Sequence, residues 1–341
     1  MEIFIHIGPH KTGTTTIQHG LGLNEKVLRR NGVLVPNSGR PFPKNGGVHN
    51  LAWELVEYKS KSYHPEYGSW KDLLDELKES KDFRKAVLSS EGFCFLDVAR
   101  IQKVCDWLED YQVKIIIYVR RQDEAIQSFW VECAKNFAAS PQVGSFYEWV
   151  EEYNYYISRY DYSDLISKWE AVFSQENIIL RLFKPDDFKP SLFHDFLSLC
   201  DIKVDHIFLP KHTNISPGVK TIEAIRLVKN HIDFSHLDER KWNYIFKGLK
   251  NQIAAWEWDE KKVNYLDEEL SLNIMARYEK GNHQVAQKYF QRENLFKEKT
   301  GKQGPVSRFT YEDFSKLEVM RIFAVVTNLL TDHLTESRLH D

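Results

Sequence analysis

A chain of 341 residues that is 42% hydrophobic, 13% aromatic and 28% charged has the composition of a globular protein with ample core material. Its formal net charge of −3 excludes the broad basic excess of a bulk nucleic-acid binder, so any anion site must be local. No apolar run approaches the ~18 residues that span a bilayer, and no leader precedes the first apolar run, so a soluble, cytoplasmic protein is expected. The cysteines Cys94, Cys105, Cys133 and Cys200 form no C-x-x-C pair and are expected to be reduced, packed thiols.

In chain order, "EIFIHIG" has the pattern of a short buried strand. "TTTIQHGLGLNEKVLRRNG" follows as one helix, weakened by Gly20 and Gly22. "VLVP" is a second strand, and "NSGRPFPKNGGVHN" is a loop by its Gly, Pro and Asn content. "NLAWELVEY" and "WKDLLDELKES" have helical periodicity, "KAVLSSE" is a strand ending in Glu91, and "DVARIQKVCDWLEDY" is a helix. "VKIIIYVRR" is the clearest buried strand. It leads into "DEAIQSFWVECAK", where Ile126, Phe129, Trp130 and Cys133 share a helical face. "YSDLISKWEAVF" is a helix, "ENIILRLF" a strand, and "YEDFSKLEVMRIFAVVTNLLTDHL" a long final helix. Strands alternating with helices predict an α/β fold with a central parallel sheet covered on both faces. A purely helical pattern at about 217–280, with no linker to isolate it, predicts a helical insertion or cap on a single domain covering 1–341.

The chemistry begins at "GPHKTGTTT", Gly8 to Thr16. A glycine loop between strand and helix presents backbone N–H groups and the positive end of the helix dipole to an anion. Gly8 and Gly13 fit the P-loop template G-x-x-x-x-G-K-[ST], but the lysine is Lys11, inside the loop rather than after the second glycine. A nucleoside triphosphatase also needs a strand-end carboxylate for Mg²⁺. The best strand here ends in Arg120 and Arg121 instead, where open α/β sheets bind ligands. Guanidinium forks at that place suit a second anionic group. The pattern describes a ligand with two anionic ends and no metal requirement.

At these residues the chain resembles the sulfotransferases that use 3′-phosphoadenosine 5′-phosphosulfate (PAPS). "GPHKTGTTT" is similar to their 5′-phosphosulfate loop, and "IIIYVRRQDEAIQSFW" to their 3′-phosphate segment, in which a strand-end Arg is followed eight residues later by a helical Ser. Arg120 and Ser128 have that spacing; Arg121 is offset by one. "YSDLISKWEAVFSQENIILRLF", "NISPGVKTIEAIRLVKN" and "NHQVAQKYFQRENLF" are similar to later segments of bacterial members. The Arg-Lys-Gly triplet of many eukaryotic members is absent, and the basic stretch after Phe296 is one alternative to it.

The resemblance implies a P-loop-like three-layer fold and in-line, metal-independent transfer of a sulfuryl group to an acceptor hydroxyl, releasing adenosine 3′,5′-bisphosphate. It implies that Lys11 stabilises the bridging oxygen of PAPS and that N–H groups around Thr12, Gly13, Thr14, Thr15 and Thr16 hold the 5′-phosphate. His10 flanks the same anion, whereas His6, inside a strand, is expected to be packed. Glu91 is the first choice for the general base, with a carboxyl expected at or above its ordinary value, and His49 the second. The implied acceptor is a glycan or glycolipid. Trp53, Tyr58, Tyr63, Trp70, Tyr153, Tyr155 and Tyr156 either stack on its rings or belong to the core. The alternatives are an atypical P-loop kinase and a non-catalytic nucleotide-binding protein on the same fold.

Overall fold

The computed structural model describes residues 1–56, 63–135, 143–152, 159–209, 218–234, 237, 239–254, 256, 258, 264–297 and 306–338. The chain divides into two compact units. The first comprises Met1–Ala125, Ser158–His212 and Met275–Lys297, and the second Ile126–Ile157, Thr213–Ile274 and Glu298–Asp341.

The first unit holds a five-stranded sheet made of β1 (Glu2–His6), β2 (Val33–Leu34), β3 (Lys85–Ser89), β4 (Gln112–Val119) and β5 (Ile178–Leu182). The strand order is β2-β3-β1-β4-β5, and all pairs are parallel. Such strands are buried on both faces, which explains why β1 and β4 are near-continuous apolar runs. Phe4, Val87, Ile116 and Tyr118 pack with Ile17 and Leu21 of α1 (Thr14–Leu23) and with Phe193, Phe196 and Leu197 of a helix at Leu192–Leu199. Ile3, Ile5, Ile115 and Ile117, alternating with these along the strands, are buried on the other face. The expected α/β architecture with a central parallel sheet is present.

The order of the strands fixes where function can sit. β1 is flanked by β3 on one side and β4 on the other, so the chain's direction of travel reverses at β1. Loops leaving the carboxyl ends of these three strands surround the place where open α/β sheets bind ligands.

Several element boundaries differ from expectation. The first helix is broken in two, α1 and α2 (Glu25–Arg30). At the break, the buried Asn24 side-chain amide donates to the carbonyls of Gly20 (2.8 Å) and Phe208 (2.7 Å). It also accepts from the Phe208 N–H (2.6 Å), so tertiary bonds replace helical continuity. Strand β3 ends at Ser89, and Glu91 opens a 3₁₀ turn, Glu91–Phe95. Thereafter α3 (His49–Leu55), α4 (Trp70–Glu79), α5 (Val98–Trp107), α6 (Gln122–Lys135) and α8 (Tyr162–Phe173) lie where the periodicity placed them. The short helices α7 (Phe146–Glu152) and α9 (Leu192–Leu199) are additional.

The second unit is helical. Its core joins Ile225 and Val228 of α10 (Val219–His231), Leu249 and Ile253 of α11 (Glu239–Ala254), and Ile322 and Val326 of α14 (Lys316–Arg338). The region 217–280 also holds α12 (Glu268–Ala276), whereas the next helix, α13 (Glu279–Phe290), belongs to the first unit. Within α10, Glu223 and Arg226 form a buried ion pair, and the Tyr265 hydroxyl donates to Glu223 (3.0 Å). Among the described residues no helix is long and apolar enough to cross a membrane.

Candidate active site

The glycine loop takes its shape from three left-handed residues. Gly8 has φ 89°, and a Cβ there would come within 3.1 Å of the Cα and Cβ of Glu91. Gly13 has φ 79°, and a Cβ would strike Leu192 Cδ2 at 2.3 Å. Both positions therefore require glycine for conformation and for space. Lys11 is left-handed as well (φ 69°), a conformation that costs a non-glycine residue on the order of 1–3 kcal/mol and is concentrated at functional loops. The buried Thr12 hydroxyl donates to the Pro9 carbonyl (2.6 Å) and braces the loop.

Helix α1 starts at this loop without a side-chain cap, so its first amides are oriented for an anion. One amide expected in that role is already used, because Thr16 N–H donates to the Gly13 carbonyl (2.9 Å). Thr14 is buried, Thr16 half-buried and Thr15 exposed.

Arg120 follows the end of β4 and reaches this loop. Its Nη1 donates to the Lys11 carbonyl (3.3 Å), and its Nε to Glu124 (3.3 Å). The guanidinium lies 5.7 Å from the Phe183 ring centroid. Its backbone is fixed by Tyr162, whose hydroxyl donates to the Arg120 carbonyl (2.6 Å) and accepts from the Arg120 N–H (3.2 Å). Burial pushes the Tyr162 hydroxyl well above its ordinary range, so it stays a donor. Arg121 turns elsewhere: its Nε bonds both oxygens of the buried Asp123 at 3.1 Å, and its Nη1 the Lys297 carbonyl at 3.4 Å. Ser128 is half-buried on α6, in the portion that belongs to the second unit.

The third group gathers at the end of β3. Val48 N–H donates to the Ser89 carbonyl (2.9 Å), which sets His49 beside the 3₁₀ turn. His49 Nδ1 is 3.1 Å from Ser90 Oγ and 3.8 Å from Glu91 Oε2. The same carboxylate oxygen accepts from Gln18 Nε2 at 2.9 Å. The loop that delivers His49 is held by Arg40, buried and bonded to Glu25 (2.8 Å) and to the Asn45 (3.1 Å) and Pro43 (2.7 Å) carbonyls.

Burial alone would raise the Glu91 carboxyl and is the largest single influence on it. The facing His49 and His10 and the Gln18 hydrogen bond together outweigh burial and hold the group at about 2. The sequence led to the opposite expectation, a carboxyl at or above its ordinary value. His6 is fully buried between Tyr118 and Phe196, with Nδ1 2.9 Å from Ser89 Oγ. Burial lowers its imidazole to about 4, so it is a neutral packed residue, as its strand position implied.

The first unit thus brings together Lys11, His10, Thr12–Thr16, Arg120, Glu91 and His49. Gln18 and Tyr162 were missed from sequence. Gln18 lies one helical turn after Thr14, on the same face, a spacing that offered the signal. Trp53 stacks on His49 (5.9 Å between centroids, 18° between planes). Trp70 is a core residue, 1% exposed, with its indole N–H donating to the Leu51 carbonyl, and cannot stack on a ligand. Tyr63 is half-buried, and Tyr58, Tyr153, Tyr155 and Tyr156 lie outside the described residues. No disulfide joins Cys94, Cys105, Cys133 or Cys200.

No protein-family model matches the chain. Over 213 residues it is 25% identical to an uncharacterized protein of Archaeoglobus fulgidus, an alignment covering 62% of this chain and 55% of that protein. The chain therefore spans about half the length of that relative. A sulfotransferase from Alicyclobacillus acidocaldarius is similar in structure with a TM-score of 0.40 and 15% identity, over 68% of this chain and 97% of the other. Mouse sulfotransferase SULT7A1 complexed with PAP gives 0.33 and 17%, over 70% and 66%. At these scores both likenesses are distant, and a functional assignment rests on the site.

Proposed function

We propose that this chain is a sulfotransferase that moves the sulfuryl group of PAPS to an acceptor hydroxyl of a glycan or glycolipid, in line and without a metal. The observation that carries the reading is the meeting of Arg120 with the Lys11 loop (Nη1 to carbonyl, 3.3 Å) at the sheet edge that also carries Glu91 and His49. Two cationic groups of different geometry suit the two anionic ends of the donor: the point charge of Lys11 the phosphosulfate, the fork of Arg120 the 3′-phosphate. The amides of α1 hold the 5′-phosphate, with His10 beside them.

Sulfuryl transfer spreads charge over equatorial oxygens, so catalysis is mostly positioning and electrostatic stabilisation. Lys11 meets the charge that develops on the bridging oxygen as adenosine 3′,5′-bisphosphate leaves. The acceptor proton goes to the His49–Glu91 pair. A carboxylate held at about 2 is a weak Brønsted base but a strong partner for a cation. This favours His49 as the proton acceptor and Glu91 as the group that stabilises the imidazolium, the reverse of the order read from sequence.

The test pairs calorimetry with turnover. Adenosine 3′,5′-bisphosphate should bind without metal, and sulfur label should pass from PAPS to hydroxyl acceptors. Tighter binding of ATP with Mg²⁺, accompanied by phosphoryl transfer, would overturn the assignment.

A further inference from the structure

Around the loop that delivers His49, three segments of the first unit touch one another, and each leaves large apolar side chains in the open. In the first, residues 41–44, Phe42 stands between two prolines and is 50% exposed. Its ring lies edge-on to His49, 6.2 Å between centroids. Its carbonyl accepts from the Asn45 N–H (2.8 Å), and the buried Arg40 donates to the next carbonyl, that of Pro43 (2.7 Å), so the turn is braced. The second segment is the end of α1. A Cβ on Gly22 would come within 2.5 Å of the Lys44 carbonyl oxygen, so helix and turn meet backbone to backbone, and the neighbouring Leu23 is 51% exposed. Asn24 ties the third segment to the second, because its side chain bonds the N–H (2.6 Å) and the carbonyl (2.7 Å) of Phe208. Phe208 is 62% exposed and Leu209 45%. Phe208 also lines a cavity of about 490 Å³ with Val204, Ile207 and the polar His194, Asp205 and His206.

Apolar side chains held in water on a braced turn oppose the hydrophobic effect, and groups of them mark surfaces that meet a partner or a membrane. The charges beside this group are mainly positive. Lys26, Lys44 and Lys203 are exposed, Glu25 is committed to Arg40 at 2.8 Å, and Asp205 is the one acid of residues 203–209. Lysines next to apolar tips complement the negative potential of an anionic leaflet. The apolar side chains come singly from a turn, a helix end and a loop, a form that enters a fluid interface more readily than it matches a second rigid surface. The adjoining cavity has the size of a small-molecule site and mixed walls, which suits an amphiphile. We propose that this border seats the first unit on an anionic lipid surface, and that the acceptor hydroxyl belongs to a glycolipid held there, which reaches His49 past Phe42. The nature of the reaction rests on the sulfotransferase reading; the lipid contact does not.

The experiment is co-sedimentation of the whole chain, without nucleotide, with vesicles of phosphatidylcholine alone and of equal parts phosphatidylcholine and phosphatidylglycerol. Wild-type protein should partition onto the mixed vesicles on the order of tenfold more strongly than onto phosphatidylcholine. Phe42→Ser and Phe208→Ser should each weaken that binding by roughly fivefold to twentyfold, the range for part of one buried aromatic side chain. Lys26→Glu combined with Lys44→Glu should abolish the preference for the anionic mixture. Leu317→Ser, at a residue 75% exposed in the second unit, is the control and should bind as wild type does. With PAPS present, label should pass to dodecyl β-D-glucoside in mixed vesicles faster than to methyl β-D-glucoside in solution. Absence of vesicle binding by wild type, binding untouched by both serine substitutions, or an equal loss in Leu317→Ser would overturn the proposal. A wild-type dimer that dissociates in Phe42→Ser, seen by sedimentation velocity without lipid, would give the face to a second copy and overturn it as well. Equal labelling of the two glucosides would remove the lipid source of the acceptor. Vesicle binding together with failure of adenosine 3′,5′-bisphosphate to bind would sink the sulfotransferase reading instead and leave the lipid contact standing.

Discussion

Glu91→Gln keeps the shape of the side chain and removes its charge, which makes it the sharpest probe of the catalytic turn. The Glu91 carboxyl falls from an ordinary 4.5 to about 2. That difference corresponds to roughly 3 kcal/mol of preference for the ionised form in the folded protein. The side chain is 24% exposed, so solvent screening removes only part of this. The direction follows from linkage. A carboxyl depressed on folding contributes stability that is complete above its unfolded value of 4.5 and disappears as pH falls toward 2. Urea unfolding of wild type and Glu91→Gln at pH 3 and pH 5, where the facing histidines still carry charge, samples about 1.4 of these pKa units. The stability difference between the two proteins should shift by roughly 2 kcal/mol in favour of wild type at pH 5. At pH 7 the variant should bind adenosine 3′,5′-bisphosphate normally while turnover falls by ~10²-fold, because the imidazolium of His49 loses its partner. A stability difference independent of pH, or one that grows as pH falls, would refute the argument that His49, His10 and Gln18 hold the group ionised.

The remaining expectations concern the base, the donor ends and metal. His49→Ala should lower turnover by ~10²–10⁴ with bisphosphate binding intact, and the wild-type rate should fall on the acid side as the base becomes protonated. A limb below pH 4 together with an active His49→Ala would return the role of base to Glu91. Arg120→Ala should weaken the 3′-phosphorylated nucleotide by ~2–4 kcal/mol and barely affect adenosine 5′-phosphosulfate, whereas Lys11→Ala should lower turnover more than donor affinity. Equal losses for both nucleotides in Arg120→Ala would show that Arg120 does not read the 3′ end. Transfer should persist in EDTA; loss there with recovery on adding Mg²⁺ would favour a kinase-like enzyme.

The sheet and the glycine loop were legible in sequence because their signals are local. Apolar runs such as "KIIIYV" mark strands buried on both faces, and Gly8 and Gly13 mark positions whose backbone only glycine tolerates. The pairing of Glu91 with His49 was not legible, since the two are 42 positions apart and meet only because Val48 bonds the end of β3. For the same reason the sequence misjudged the Glu91 carboxyl: its burial was foreseeable, but the two histidines and the Gln18 amide that outweigh burial come from two segments distant from it in the chain. The break at Asn24 belongs to the same class, because its bonds to Phe208 span 184 positions. Arg121 had the composition of a ligand and the position of one. Only the geometry reveals that the buried Asp123 holds it at 3.1 Å.

The parts of this site are registered to one another by backbone rather than by long side chains. Ser90 N–H donates to the His6 carbonyl (3.0 Å), which extends the β1–β3 pairing one step past the strand ends. That step sets Glu91 directly against Gly8, where a methyl group would come within 3.1 Å of it. The glycine loop and the turn at Glu91 therefore cannot shift independently, since each forms the wall of the other. Val48 adds His49 to the same ladder through Ser89, and Tyr162 pins Arg120 at the neighbouring strand end with a two-way hydrogen bond. For the proposed sulfuryl transfer, in which catalysis would be mainly positioning, alignment fixed by the sheet lowers the cost of ordering these groups around a donor. Gly8→Ala is thus expected to act on chemistry rather than on folding alone, by displacing Glu91 relative to Lys11 through a contact neither residue makes with substrate.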